Sequence, residues 1–228
     1  MSEDMYEDEQ ELYRREAMGA FAHEVRTPLT SIKMVMELAR RQSRDGEFIL
    51  DAELADMLRT SVDDLQELAD DLQEASRLER GKLVLAQGPC DLGAAVDAAR
   101  DMMAHGPELA GTSPHGIEGP WDARRLVRAI AGFAQSANRI GDGTGTVRFD
   151  WEETGGGLKL SFASGKPGGE ARPIAADAGF SFFRSRQLVV AMGGSVHCNR
   201  AERYVEFVIE LPLAQGAVRV VEPMKILL

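Results

Sequence analysis

The 228-residue chain has few of the residues that build disulfide frameworks, metal clusters or membrane spans. Its two cysteines, Cys90 and Cys198, are far apart, so neither a disulfide framework nor a paired-cysteine metal site is predicted. Its four histidines lack a ligand spacing such as HExxH. No apolar run approaches the roughly 18 residues of a membrane span, and the acidic N-terminus does not resemble a secretory signal. We therefore expect a cytoplasmic protein that binds no metal and no membrane.

Positive charge is also scarce, because 26 lysines and arginines stand against 37 acidic residues, for a formal net charge of −11. Binding to a phosphate backbone requires clustered lysine and arginine, so nucleic acid is not an expected partner. The 44% hydrophobic and 28% charged residues are typical of a soluble globular protein. The length suits two modest domains.

The first 80 residues contain only Gly19, Gly46 and Pro28 among the residues that interrupt helices. Apolar residues recur there at alternating spacings of four and three, in two series separated by a break at residues 44–46, which predicts a helical hairpin over residues 1–80. The first series is Met18, Ala22, Val25, Leu29, Ile32, Met36 and Ala39, and the second is Leu54, Leu58, Ser61, Leu65, Leu68, Leu72 and Ala75.

Apolar seams of this length exceed what one hairpin covers, so we expect two copies to form a four-helix bundle, that is, a homodimer. The predicted interface consists of Val25, Leu29, Ile32, Leu65, Leu68 and Leu72.

The composition changes at Gly81, since 21 of the 23 glycines and eight of the nine prolines lie beyond residue 80. Mixed helical and alternating patterns predict an α/β sandwich over residues 81–214, followed by a tail, residues 215–228, of no predicted structure. The predicted strands are Lys82 to Leu85, Val147 to Trp151, Leu158 to Phe162, Ser195 to Cys198 and Tyr204 to Leu211. The predicted helices are Leu92 to Met103, Asp122 to Ile140 and Phe180 to Met192.

The first helix carries the string FAHEVRTPLTSI at residues 21–32. Pro28 removes a backbone donor inside the helix, which predicts a kink. His23 and Thr27 are four residues apart and share a flank beside that proline. An exposed imidazole can act as a nucleophile, and the neighbouring Glu24 can accept its proton or orient it.

This string resembles the H box of the dimerisation and phosphotransfer domain of two-component sensor histidine kinases, F-x-H-E-[LV]-R-T-P-L-[TS]-x-I. The resemblance implies that His23 is the phospho-accepting histidine, that Glu24 is its acid/base carboxylate, and that Thr27 positions a water for dephosphorylation of a partner receiver. Arg26 and the helix-bending Pro28 would support the site. Residues 76–83, SRLERGKL, are similar to the junction that leads into the family's ATP-binding domain. The implied fold is a dimeric four-helix bundle followed by a Bergerat-like α/β sandwich.

The second domain resembles the family in its scaffold but departs from it at the nucleotide-binding positions. Ser136 occupies the place of the family's magnesium-coordinating asparagine, and Gly132 the place of an earlier asparagine, while Asn138 is two places out of register. After the strand that ends near Phe162, the family's D-x-G-x-G is replaced by SGKPG, which puts Ser164 in the place of the adenine-binding aspartate and leaves Gly168 as the last glycine.

Only ten residues, Gly169 to Ala178, separate that loop from Gly179, which begins a segment similar to the family's phosphate-facing helix start. Ser181 stands there in place of a glycine, and a mobile ATP lid requires more chain than those ten residues. The resemblance therefore implies a retained fold with a dismantled nucleotide site. We expect no bound cofactor, with Mg²⁺ supplied by the partner receiver domain.

These observations leave three hypotheses. In the first, His23 receives a phosphoryl group from the aspartate of a response-regulator receiver domain and transfers it to another, without ATP. In the second, the chain is an ATP-dependent sensor histidine kinase with a divergent nucleotide site. In the third, it is a non-catalytic scaffold that binds a response regulator, a role that does not explain the complete H box.

Overall fold

The computed structural model describes residues 3–42, 49–174 and 176–213 of the chain. The chain divides into two compact units, Met1–Glu74 and Ala75–Leu228. The break expected at residues 44–46 and the tail at residues 215–228 lie outside the described residues. No helix in the described ranges is long and apolar enough to cross a membrane.

The first unit is the expected helical hairpin, formed by α1 (Glu3–Gln42) and the larger part of α2 (Ala52–Glu79). Near the connection, Val35 and Ala39 of α1 form a buried cluster with Leu54 of α2, and Met57 and Leu58 pack against it. The end of α1 therefore contacts the start of α2, and the two helices run antiparallel.

The α2 series of the sequence pattern forms one buried or half-buried face, Leu54, Leu58, Ser61, Leu65, Leu68, Leu72 and Ala75. Ser61, its one polar member, is buried because its hydroxyl donates to the carbonyl of Met57 at 2.8 Å. An internal hydrogen bond removes most of the cost of burying a hydroxyl.

The α1 series is less buried than the α2 series. Within residues 14–42 of α1, the buried residues are Ala20, Pro28, Val35 and Ala39, whereas Leu29 is 44% exposed and Met18 and Met36 are similarly exposed. The predicted stripe, apart from Ala39, is therefore a second apolar face beside the one that packs within the hairpin. A single chain buries only one of these two apolar faces of α1. The sequence pattern alone does not show which of the two packs against α2.

Besides the end of α2, the described residues of the second unit form a five-stranded sheet in the order β2-β4-β5-β7-β6, a two-stranded sheet of β1 and β3, and three helices. Strand β2 pairs parallel with β4, and the other pairings of the large sheet are antiparallel. The elements are β1 (Gly88–Asp91), α3 (Leu92–Met102), β2 (Glu108–Ala110), β3 (Glu118–Trp121), α4 (Ala123–Ile140), β4 (Thr146–Thr154), β5 (Gly157–Gly165), α5 (Phe180–Ala191), β6 (Ser195–Ala201) and β7 (Tyr204–Pro212), with a 3₁₀ turn at Ala176–Ala178.

The core of this unit lies between one face of the large sheet and the helices. Alternate residues are buried along β7 and in β5 as far as Phe162, as the period of two predicts for a half-covered sheet, whereas in β4 the buried residues are Val147 and Phe149. Phe133 of α4 packs on Phe162 and Phe207 at ring-centroid distances of 5.9 and 5.7 Å, and Phe182 of α5 packs on Phe207 at 4.9 Å. The α/β sandwich architecture is confirmed.

The predicted strand at Lys82 to Leu85 is wrong, because residues 82–87 form no ladder and run as an irregular linker into β1. The prediction also missed β1, β2 and β3, which are three or four residues long. Strands this short contain too few residues for an alternating pattern to be recognised.

Candidate functional site

His23 lies on the surface of α1, and Thr27 is also exposed one turn further along the same flank. Glu24 is half-buried, and Arg26 is exposed. The placement leaves the imidazole of His23 accessible to a partner, with Thr27 four residues, or ~6 Å, further along the helix axis.

Helix α1 continues through Pro28, which is buried. Because proline has no N–H, the carbonyl of Glu24 lacks its usual helical donor. In the following turn, the hydroxyl of Thr30 donates to the carbonyl of Arg26 at 2.8 Å and that of Ser31 to the carbonyl of Thr27 at 3.3 Å. These hydroxyls add donors to the carbonyls that immediately precede the proline, a pattern that often bends helices.

Two apolar side chains continue the flank of His23 and Thr27 toward the C-terminal end of α1. Met34 and Leu38 follow Thr27 at spacings of seven and four, which keep all four side chains on one face. Met34 is 48% exposed and Leu38 is also exposed. The imidazole therefore stands at one end of an exposed face whose other end is apolar.

In the second unit, the structure brings two of the predicted nucleotide positions together. Ser136 of α4 is completely buried, and its hydroxyl oxygen lies 3.2 Å from that of Ser181 at the start of α5. One turn earlier, α4 and α5 pack closely at Gly132, where a Cβ would lie 2.2 Å from the Ser185 hydroxyl oxygen. The two helices are thus in direct contact where the family places its magnesium-coordinating asparagine.

Ser164 is also buried, at the end of β5, and it donates a hydrogen bond to the carboxylate of Asp142 at 3.2 Å. The same carboxylate accepts bonds from the amide and hydroxyl of Thr144 at 3.2 and 2.9 Å. The bonds from Thr144 and Ser164 lower the pKa of Asp142. The sequence analysis missed Asp142, although an aspartate followed by glycine after a helix is a recognisable Asx-turn signal.

The remaining predicted positions lie apart from these two pairs. Asn138 accepts a hydrogen bond from the amide of Gly145 at 3.0 Å, so it braces the turn after α4. Gly168 and Gly179 both have positive φ, at 141° and 86°, and Gly179 precedes α5 without a side-chain cap. A side chain would be strained at either position.

The short stretch between Gly168 and α5 is attached to β6 by Arg200. The amide of Arg172 donates to the carbonyl of Arg200 at 2.9 Å, and the guanidinium of Arg200 donates to the carbonyl of Pro173 at 3.2 Å. Two further bonds, at 2.9 and 2.5 Å, join that guanidinium to the carboxylate of Asp177. The described residues contain no group of three or more His, Cys, Asp or Glu side chains placed to hold a metal ion.

Known proteins are similar to this chain in both its helical hairpin and its α/β unit. Residues 13–81 match the model of the His Kinase A (phospho-acceptor) domain. The probable sensor histidine kinase TcrY of Mycobacterium tuberculosis is 28% identical, in an alignment that covers 87% of this chain and 46% of TcrY. The chain therefore spans less than half the length of that relative.

Solved structures match the fold over most of the chain. The histidine kinase AdeS of Acinetobacter baumannii aligns with a TM-score of 0.63 at 23% identity, over 84% of this chain and 98% of that one. The histidine kinase ThkA, solved in complex with the response regulator protein TrrA, aligns with a TM-score of 0.57 at 18% identity, over 92% of this chain and 66% of that one.

Proposed function

Because the chain belongs to the two-component histidine kinase family, we propose that His23 accepts and transfers a phosphoryl group to or from the aspartate of a response-regulator receiver domain, without using ATP. The match to the phospho-acceptor domain supports a role in phosphorelay signalling. The partner class is supported by ThkA, which was solved in complex with a response regulator protein. Independence from ATP is our specific proposal for this chain.

One observation carries that proposal. Ser136, in the place of the magnesium-coordinating asparagine, is completely buried in contact with Ser181, in the place of a phosphate-facing glycine. A metal–nucleotide complex needs accessible ligands and close backbone donors at these two positions. Each lost interaction is worth about 1–3 kcal/mol, so the losses at Ser136, Ser164 and Ser181 together would weaken a micromolar affinity to roughly millimolar.

The proposed transfer requires little from this chain beyond a positioned imidazole. A ring nitrogen of His23 attacks the phosphorus of the receiver's aspartyl phosphate, the N–P bond forms, and the O–P bond breaks to release the aspartate carboxylate. Glu24 takes up the proton from the other ring nitrogen as positive charge develops on the imidazole. Mg²⁺ in the receiver stabilises the phosphoryl oxygens, and the reverse transfer follows the same steps.

The receiver domain would dock on the exposed face defined by His23, Thr27, Met34 and Leu38. The apolar end of that face supplies contact area that a partner can bury, and the polar end presents the reacting nitrogen. Replacing Met34 with lysine should therefore slow transfer from a phosphorylated receiver. Met34→Leu, which keeps this end of the face apolar, is the matched control.

A homodimer is part of the proposal. The second apolar face of α1, which includes Met18, Leu29 and Met36, is exposed in the described chain, and a second hairpin that buries it would complete a four-helix bundle.

The alternative is an ATP-dependent sensor histidine kinase, and the likeness to TcrY, itself described as a probable sensor histidine kinase, favours it. In that case Asp142, which is hydrogen-bonded to Ser164, would be a candidate for the role of the lost adenine-binding aspartate. A non-catalytic scaffold that binds a response regulator is the third alternative, and it requires no phosphate on His23.

Two measurements on the full chain separate these functions. Calorimetry with Mg-ATP should give no binding at micromolar concentrations, and labelled ATP alone should leave the protein unlabelled. A receiver domain carrying labelled phosphate should label the wild type and His105→Ala but not His23→Ala, because His105 lies outside the hairpin. Micromolar Mg-ATP affinity would establish the kinase alternative, and a wild type that takes no label from receiver or ATP would establish the scaffold.

A further inference from the structure

The linker that follows α2 begins with a fixed turn. The amide of Gly81 donates to the carbonyl of Leu78 at 3.0 Å, and the amide of Lys82 donates to the carbonyl of Arg77 at 2.9 Å. Gly81 has φ of 61°, so the turn is a Schellman motif, which needs a residue in the left-handed region. The chain therefore leaves α2 in a defined direction.

Four residues later, the linker meets Asp122, the residue before α4. One carboxylate oxygen of Asp122 accepts the amide of Arg125 at 3.1 Å and caps α4, while the other accepts the amide of Ala86 at 2.9 Å. Asp122 thus uses one oxygen for its helix and the other for the linker.

Arg125 completes the attachment from the first turn of α4. Its guanidinium pairs with the second oxygen of Asp122 and donates to the carbonyl of Val84 at 3.3 Å. The side chain of Val84 is 85% exposed, so burial of that side chain does not hold the segment in place. Backbone hydrogen bonds to Asp122 and Arg125 fix the linker instead.

The environment of Asp122 strengthens these bonds. Its side chain is nearly fully buried, where a hydrogen bond to a charged group is stronger than in water. Burial raises the pKa of Asp122, but the bonds from Ala86 and Arg125 outweigh that effect and leave the pKa below its ordinary value. The carboxylate is therefore charged and occupied at neutral pH.

We propose that Asp122 is a positioning residue that clamps the linker onto α4, so that the C-terminal end of α2 and the α/β unit move as one body. The final turn of α2 already belongs to the second unit by its contacts. A displacement of that helix end would then also displace α4, because the linker between them is not flexible. This inference does not depend on whether His23 receives its phosphate from a receiver or from ATP.

The substitution Asp122→Asn tests the clamp while sparing the helix cap. Asparagine is as good an N-cap as aspartate, but its amide nitrogen would face the Ala86 amide with a donor where an acceptor is needed. Asp91→Asn is a matched control, because Asp91 caps α3 with one oxygen and accepts the amide of Gly116 with the other, away from the linker.

Two readouts on the full chain report on the linker. Hydrogen exchange of the Ala86 amide should accelerate at least about tenfold in Asp122→Asn, and trypsin cleavage after Lys82 should accelerate similarly, with no change at either site in Asp91→Asn. Unchanged exchange and cleavage in Asp122→Asn, or equal changes in both variants, would overturn the clamp.

If Asp122→Asn fails to fold, hydrogen exchange of the wild type tests the clamp instead. The Ala86 amide of the wild type should exchange more slowly than the amide of an unstructured peptide of the same sequence by at least about a hundredfold. Exchange at the peptide rate would also overturn the clamp.

Discussion

The hydroxyl oxygens of Ser136 and Ser181 lie 3.2 Å apart and join the middle of α4 to the first turn of α5. Ser136 is completely buried, so its hydroxyl depends on a protein partner. Two positions at which the sequence predicts a lost metal–nucleotide site are here hydrogen-bonded to each other. The contact has consequences for stability that can be measured independently of ligand binding.

Ser181→Ala should lower the free energy of unfolding by about 1–3 kcal/mol, because it leaves the completely buried hydroxyl of Ser136 without this partner. Ser136→Ala should cost less, because the half-buried hydroxyl of Ser181 can bond to water. The double variant should lose less than the sum of the two, since removing both hydroxyls leaves no unsatisfied group. Urea unfolding of the four proteins completes a double-mutant cycle. Additive losses would show that the two hydroxyls do not interact.

Leu29→Lys should split the proposed homodimer, because it places a charge in the second apolar face of α1. Light scattering at micromolar concentration should give twice the monomer mass for the wild type and the monomer mass for the variant. Met34→Lys, on the face of His23, should stay dimeric. A wild-type monomer, or a stable Leu29→Lys dimer, would show that this face is not the interface.

Charges at Leu65 and Leu72 should have a broader effect. Both residues lie on the partly buried face of α2, so their replacement by glutamate should either unfold the helical region or split the dimer. Circular dichroism and light scattering distinguish the two results. A folded, stable dimer would place the hairpin contacts elsewhere.

Thr27→Ala should still accept phosphate on His23 but should no longer accelerate dephosphorylation of the receiver, because it lacks the hydroxyl that would position a water one turn from the imidazole. Thr30→Ala is the matched control, since the hydroxyl of Thr30 is engaged with the carbonyl of Arg26. Phosphate release from a labelled receiver is the measurement. Equal rates for Thr27→Ala and the wild type would remove Thr27 from that role.

The second unit should lose stability in acid. Hydrogen bonds from Ala94, Ser113 and Thr144 lower the carboxyl pKa values of Asp91, Asp97 and Asp142, respectively, below 3.8. The contribution of a carboxyl with a lowered pKa is fully present above its unfolded value and is lost as the pH falls through its folded value. The urea concentration at the midpoint of unfolding should therefore decrease as the pH is lowered below about 4. In Asp97→Asn this decrease with pH should be less steep. An equal slope in that variant would contradict the assignment.

The sequence determined the elements whose patterns are local. The alternating four and three spacing of α2 predicted its packing face, and the period of two predicted which side chains are buried in β7 and in the first part of β5. The contiguous string around His23 likewise predicted the family. Such patterns can be recognised in the sequence because the residues of each pattern lie close together in one helix or strand.

Only the tertiary structure decided which apolar face of α1 packs within the hairpin, because two such faces share the helix and the choice depends on α2. It also decided the partners of the dispersed polar residues. Ser136 meets Ser181 across 45 positions, and Ala86 meets Asp122 across 36. No periodicity encodes such pairs, since they form only when distant segments are brought together by the burial of the apolar core.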